Sequence, residues 1–187
     1  MDKCPSHGEA TFSALAVERC QIPISTVVVR KSALVKAGLF DENLPRCDDY
    51  DMWLRAAFHG AHIGYSRKIQ ARLSGARPGS LCQSRSKMSE AYWKILEKAL
   101  STLSLTDSER ELVKNRAIEI RARYILEEAK NQLFIRQFRN ARKLLCEANL
   151  YFRRPLVRLA ILGLGVAPSA TAKLIWLWSR VRNGPAV

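Results

Sequence analysis

The pattern of apolar and polar positions changes near residue 84 and predicts two regions of different structure. Before residue 84, β-branched or apolar runs alternate with turn residues, and the runs at 25–30, 61–65 and 69–73 predict short strands. Residues 48–58 show helical spacing instead, and Gly60 ends that helix. The first region is therefore predicted to be α/β.

After residue 84 the pattern is helical almost throughout, so the chain is predicted to be predominantly α overall. Helices are predicted at 86–100, at 106–134 behind a capping box formed by Thr106 and Glu109, and at 138–152. Residues 117–134 and 138–152 resemble a single tetratricopeptide-type hairpin. The predicted organisation is a domain over 1–84, a helical region over 85–154 and a basic amphipathic helical tail over 155–187.

Charge changes this picture most in the tail. The chain has 31 Lys and Arg against 17 Asp and Glu, a net charge of +14. From Arg136 onward there are ten Lys and Arg residues and one acidic residue, Glu147. Such an excess predicts an anionic partner. Nucleic acid is disfavoured because the charge lies in an apolar tail without a recognisable nucleic-acid motif. The tail fits an anionic membrane surface, and it equally fits a helix pair that packs back on the helical region.

The cysteines and the apolar runs indicate the compartment. Five cysteines, an odd number with no close pair, predict reduced thiols. The first residues lack the apolar core of a signal peptide, and no window reaches the roughly 20 apolar residues that span a bilayer. The expected location is the cytoplasm, with the tail allowing peripheral contact with the cytoplasmic face of the membrane.

The candidate chemistry is concentrated at the start of the helix over 48–58. Asp48, Asp49 and Asp51 precede or flank Trp53 and Arg55. Acids at a helix start are explained by capping and by the helix dipole. The same cluster also suits a site in which one carboxylate acts as a general base while another is held structurally.

Several segments together carry a resemblance to a known family. They are Gly-Leu-Phe-Asp-Glu at 38–42, Asp-Asp-Tyr-Asp-x-Trp-Leu-Arg at 48–55, Gly-x-x-Ile-x-Tyr at 60–65, the β-branched run at 24–31 and the loop at 77–81. In this order they resemble the C-terminal part of the catalytic domain of family 2 glycosyltransferases. The resemblance implies a partial GT-A, Rossmann-like fold and inverting transfer of a sugar from a nucleotide-sugar donor to an acceptor hydroxyl.

The resemblance also implies roles for individual residues. Asp49 matches the general base, and Asp48 is the supporting acid. Trp53, Arg77 and Arg72 are assigned to substrate binding, the arginines toward the diphosphate. Asp51 and Arg55, one helical turn apart, are assigned to a structural ion pair.

The same resemblance implies parts that the sequence lacks. The family's nucleotide-binding half and its Asp-x-Asp motif, which holds a divalent metal (Mg or Mn), have no counterpart ahead of residue 20. The chain is therefore expected to be a truncated or split member that is inactive alone and works with a separate chain supplying the N-terminal half, in polysaccharide, glycolipid or cell-surface glycan synthesis. The alternative is a non-catalytic helical interaction protein, or a basic protein that binds nucleic acid or membrane.

Overall fold

The computed structural model describes residues 10–18, 20–66, 68, 71 and 84–183. Over these residues it contains helices, one 3-10 turn at Ile24–Thr26 and no strand. The helices are α1 (Phe12–Ala16), α2 (Lys31–Lys36), α3 (Asp48–Phe58), α4 (Arg85–Thr102), α5 (Asp107–Phe134), α6 (Phe138–Phe152), α7 (Pro155–Val166) and α8 (Pro168–Asn183). The predicted α/β class, with its partial GT-A or Rossmann-like sheet, is therefore wrong for the described part of the chain.

The β-branched run shows why that prediction failed. Residues 24–26 form the 3-10 turn, Val27 is extended, and Val28 is fully exposed, with a relative accessibility of 101%. Residues 61–65 also lie outside regular structure, and most of the run at 69–73 lies outside the described residues. Strand propensity is realised only where a neighbouring strand accepts the backbone hydrogen bonds. Within the described ranges neither 25–30 nor 61–65 has such a neighbour.

The predicted helices, in contrast, are confirmed. α3 and α6 have the predicted bounds, and α4 and α5 differ from prediction by one or two residues. The capping box is formed: the Thr106 amide donates to Glu109 Oε2 at 3.0 Å, and the Glu109 amide donates to Thr106 Oγ1 at 3.3 Å. Thr11 caps α1, Ser84 caps α4 and Pro155 begins α7, and these start signals do not depend on a distant partner.

The chain divides into two compact units, and the first ends at Ile120, within α5. α3 lies at the centre of this first unit, where it packs against α1, α2 and α4. Met52 and Leu54 of α3 are fully buried, with Leu15, Ile95, Leu96 and Val113 around them. The core therefore holds α3 from several sides and fixes the directions of its polar side chains.

The second unit begins at Arg121 and contains the end of α5 with α6, α7 and α8. Its core is built on Ala129, Leu145 and Leu164. A methyl group at Gly163 would lie 2.6 Å from Thr171 Oγ1, so this glycine allows α7 and α8 to approach closely. No helix in the described part of the chain has the length and apolar content needed to cross a membrane.

Candidate active site

The three acids at the start of α3 lie in different environments. α3 begins after Cys47, which is in the left-handed conformation (φ 57°), and its first turn contains Asp48, Asp49 and Asp51. Asp51 is buried, whereas Asp48 and Asp49 are half-buried. Residues two positions apart on a helix differ by about 200° around its axis. Asp49 and Asp51 therefore lie on different sides of α3, and Asp49 shares its side with the buried Trp53 one turn later.

Asp51 is neutralised by two cations. Arg55 Nε and Nη2 donate to Asp51 Oδ2 at 2.9 and 2.6 Å, and Lys98 Nζ of α4 lies 3.0 Å from Asp51 Oδ1. A buried carboxylate is tolerated when it is paired in this way. Both oxygens of Asp51 are thus engaged, which excludes this residue as a free base.

The same cations connect α3 to the loop that follows α2. Arg55 donates to the carbonyl of Ala37 and, at 2.7 Å, to that of Leu39, beside Gly38, whose φ is +87°. Lys98 Nζ also lies 2.7 Å from Asp41 Oδ2, and this hydrogen bond lowers the pKa of Asp41 to about 2. The Gly-Leu-Phe-Asp segment at 38–41 is therefore held against α3 by contacts with Arg55 and Lys98.

Asp49 lines a pocket, and among the described residues no cation is paired with it. Its Oδ1 accepts the Tyr50 amide at 2.8 Å. Partial burial raises the pKa of Asp49, opposed by the Tyr50 amide and reinforced by the neighbouring charge of Asp48. A carboxylate that is poorly solvated and lacks a counter-ion is a stronger base than an ordinary aspartate.

The pocket lies between α3, α4 and the segment after α1, and its volume is about 200 Å³. Three of its ten lining residues are aromatic. The rings of Tyr50 and Tyr92 meet edge to face at 4.8 Å, and the Tyr50 hydroxyl donates to the Leu15 carbonyl at 3.3 Å. Burial also raises the pKa of Tyr50, so its hydroxyl stays protonated. The lining residues are Leu15, Glu18, Cys20, Gln21, Ile22, Pro23, Asp49, Tyr50, Trp53 and Tyr92.

A second carboxylate, Glu18, lines this pocket, and no sequence pattern predicts it. Glu18, which has φ 56°, is ion-paired with Arg116 of α5, and Arg116 also lies 2.6 Å from Glu119. Glu18 and Arg116 are separated by 98 positions. Neither residue belongs to a motif, so only the tertiary fold reveals that they meet beside Asp49.

The residues predicted for the site have different positions in the structure. Asp49 and Trp53 line the same pocket, although Trp53 is almost fully buried and its ring packs edge to face against Phe40. Asp48 is half-buried at the first position of α3 and does not line this pocket. Arg72 and Arg77 lie outside the described residues.

The described residues do not fit a divalent metal. Among them no group of three His, Cys, Asp or Glu side chains is arranged to hold an ion. The oxygens of Asp51 already bind Arg55 and Lys98, and Glu18, the other carboxylate in the pocket of Asp49, is ion-paired with Arg116. The Mg or Mn ion that the resemblance implies therefore has no ligand set in this part of the chain, and no chemical step is derived through it.

Comparisons of the chain with known protein families, with characterised proteins and with solved structures find no match. None of them supports the resemblance to family 2 glycosyltransferases. A functional argument for this chain must therefore come from the chemistry of the pocket.

Proposed function

We propose that this chain contributes the acceptor side of an inverting glycosyltransferase, which transfers a sugar from a nucleotide-sugar donor to an acceptor hydroxyl in the synthesis of a polysaccharide, glycolipid or surface glycan. The observation that carries the proposal is Asp49: it lies in the wall of a pocket that also holds three aromatic side chains, burial raises its pKa, and no cation of the described residues is paired with it. The sequence resemblance assigns the base to the same residue.

The chemistry of the pocket suits a hydroxyl-bearing ring. Aromatic side chains such as Tyr50 and Tyr92 offer apolar surface to the C–H face of a sugar, while carboxylates accept hydrogen bonds from its hydroxyl groups. Glu18 is ion-paired with Arg116, so its carboxylate can accept a hydrogen bond that orients a hydroxyl group. No cation of the described residues is paired with Asp49, and burial raises its pKa, so proton transfer is assigned to Asp49.

In the proposed step, the Asp49 carboxylate accepts the proton of the acceptor hydroxyl as its oxygen attacks the anomeric carbon of the donor. The new carbon–oxygen bond forms while the bond from that carbon to the diphosphate oxygen breaks. The nucleoside diphosphate leaves with the electron pair, and the configuration at the anomeric carbon is inverted. A base fixed at the start of a packed helix contributes by being within hydrogen-bonding reach of the hydroxyl.

The donor requires groups that this pocket does not offer. The proposal assigns donor binding, and the metal that accompanies it, to a separate donor-binding chain. Arg72 and Arg77 remain the candidates in this chain for contact with the diphosphate, because guanidinium groups bind phosphate oxygens in pairs. Their assignment comes from the sequence alone.

Saturation-transfer NMR with methyl glycosides of glucose, galactose, mannose and N-acetylglucosamine tests acceptor binding by the full chain. We expect at least one glycoside to bind, and Asp49→Asn to weaken its binding about tenfold, as the loss of a charged acceptor predicts. Glu42→Gln, a change at an exposed acid outside the pocket lining, should leave binding unchanged. Failure of every glycoside to bind, or equal binding by the Asp49 variant, would refute the proposal.

A further inference from the structure

Helix α7 is apolar on both faces, and one of those faces is exposed. Its inner side chains, Val157, Ala160, Ile161 and Leu164, lie in or against the core of the second unit. On the opposite side Leu159 and Leu162 are each 63% exposed and Val166 is 89% exposed. These three side chains follow helical spacing and form a continuous stripe, which we call the α7 stripe.

An exposed stripe of this kind indicates a missing partner. A helix that is apolar all round is normally buried on every side, and a contiguous apolar patch on a surface marks an interaction site. α8 repeats the combination on a smaller scale, with Leu174 and Leu177 exposed beside Lys173.

The charges around the α7 stripe identify the chemistry of that partner. From residue 148 to the C-terminus the sequence contains no Asp or Glu, whereas Arg153, Arg154, Arg158 and Lys173 are exposed. Cations without acids, next to exposed leucines, complement a surface that is negatively charged outside and apolar beneath. A second copy of this surface would bring like charges together, which disfavours a face-to-face dimer.

We propose that α7 and α8 bind the surface of an anionic phospholipid bilayer. The α7 stripe enters the boundary between headgroups and acyl chains, and the flanking arginines and Lys173 bind the lipid phosphates. The helices lie on the bilayer without crossing it. This interaction is independent of the pocket around Asp49 and goes beyond the proposed glycosyl transfer.

Co-sedimentation of the full chain with vesicles tests the proposal. We expect binding to vesicles of phosphatidylcholine mixed with phosphatidylserine, much weaker binding to pure phosphatidylcholine, and weakening with added salt. Leu159→Asn combined with Leu162→Asn should reduce the partition coefficient about tenfold or more, because two apolar side chains no longer leave water. Arg158→Gln combined with Lys173→Gln should cause a loss of about tenfold or more, as two cations near an anionic surface predict.

Matched controls come from the first unit. Val28→Asn with Val35→Asn removes two exposed apolar side chains, and Lys31→Gln with Lys36→Gln removes two exposed cations. Both control pairs should leave vesicle binding unchanged. Far-UV circular dichroism on every variant verifies that the helices are retained, which is expected because all the changed side chains are exposed or half-exposed.

Three results would overturn the proposal. The first is failure of the wild-type protein to sediment with phosphatidylserine-containing vesicles. The second is binding that depends on the cations but not on Leu159 and Leu162, since that describes charge attraction alone. The third is a dimer, or a complex with an acidic protein, that the leucine variants abolish while vesicle binding persists.

Discussion

Replacing Asp51 by asparagine keeps the shape of a buried side chain and removes its charge, and we expect it to destabilise the first unit by about 3 kcal/mol. Breaking a buried ion pair from one side costs about 3–5 kcal/mol because the partner's charge is left uncompensated. Arg55 and Lys98 are 13% and 29% exposed, and Lys98 keeps Asp41. Partial solvation of both cations therefore places the expected cost at the low end of that range.

Asp49→Asn is the matched control, two positions away on the same helix. In the wild-type protein the pKa of Asp49 is raised by folding, so its ionised carboxylate is less favourable in the folded protein than in the unfolded chain. This residue makes stability fall as the pH rises from its unfolded pKa through its folded pKa. Removing the charge should be neutral or slightly stabilising at neutral pH, and the difference should disappear at acidic pH.

Urea unfolding followed by circular dichroism and tryptophan fluorescence measures both variants. The Asp51 variant should unfold at lower urea with an unchanged slope, because the surface exposed on unfolding is the same. A loss below about 1 kcal/mol, the value typical of a surface ion pair, would show that the Arg55–Asp51–Lys98 cluster does not hold the unit together. An equal loss for the Asp49 variant would contradict the distinction between the structural and the reactive acid.

Other variants test further parts of the structure. Lys98→Gln should raise the pKa of Asp41 from about 2 toward its ordinary value, as measured by carbon NMR. In the wild-type protein the stability that Asp41 confers is present above its unfolded pKa and is lost as the pH falls through about 2. Gly163→Ala should destabilise the second unit by about 1–3 kcal/mol in a thermal melt, because the added methyl group meets a side chain of α8. Thr106→Ala should cost about 1 kcal/mol by the same measurement, because α5 loses a hydrogen-bond acceptor at its start.

Each of these variants has a control in the chain. Lys94→Gln changes a lysine one turn away, which pairs with Glu90, and should leave the pKa of Asp41 unchanged. Gly165→Ala should be harmless, because its nearest neighbour is the flexible Arg142 guanidinium at 3.3 Å. Ser101→Ala is the control for Thr106→Ala: it removes a hydroxyl that donates to the Lys98 carbonyl and caps no helix start, so it should cost less. If a control variant changed the measured pKa or stability as much as its test variant, the contact named for that test would not be the cause of the change.

The sequence predicted helices better than strands, for a physical reason. A helix satisfies its backbone hydrogen bonds locally, so apolar spacing predicts α3 and α6, and spacing together with the Thr106–Glu109 capping box predicts α5. A strand depends on a neighbour that can lie anywhere in the chain. The β-branched run at 25–30 has the composition of a strand, yet in the described structure it has no neighbouring strand, and Val28 is exposed to solvent.

The candidate site was predictable only to the extent that it lies on one helix. Burial of Met52 and Leu54 fixes the inner face of α3 and leads Asp51 to its cations, which leaves Asp49 on the pocket side. Helical periodicity alone implies that separation of roles. Glu18 and Tyr92 reach the same pocket from α1's end and from α4, far away in sequence, and no spacing rule connects them to Asp49. The proposed base, Asp49, is thus a local feature of the sequence, whereas the walls of its pocket are a product of tertiary packing.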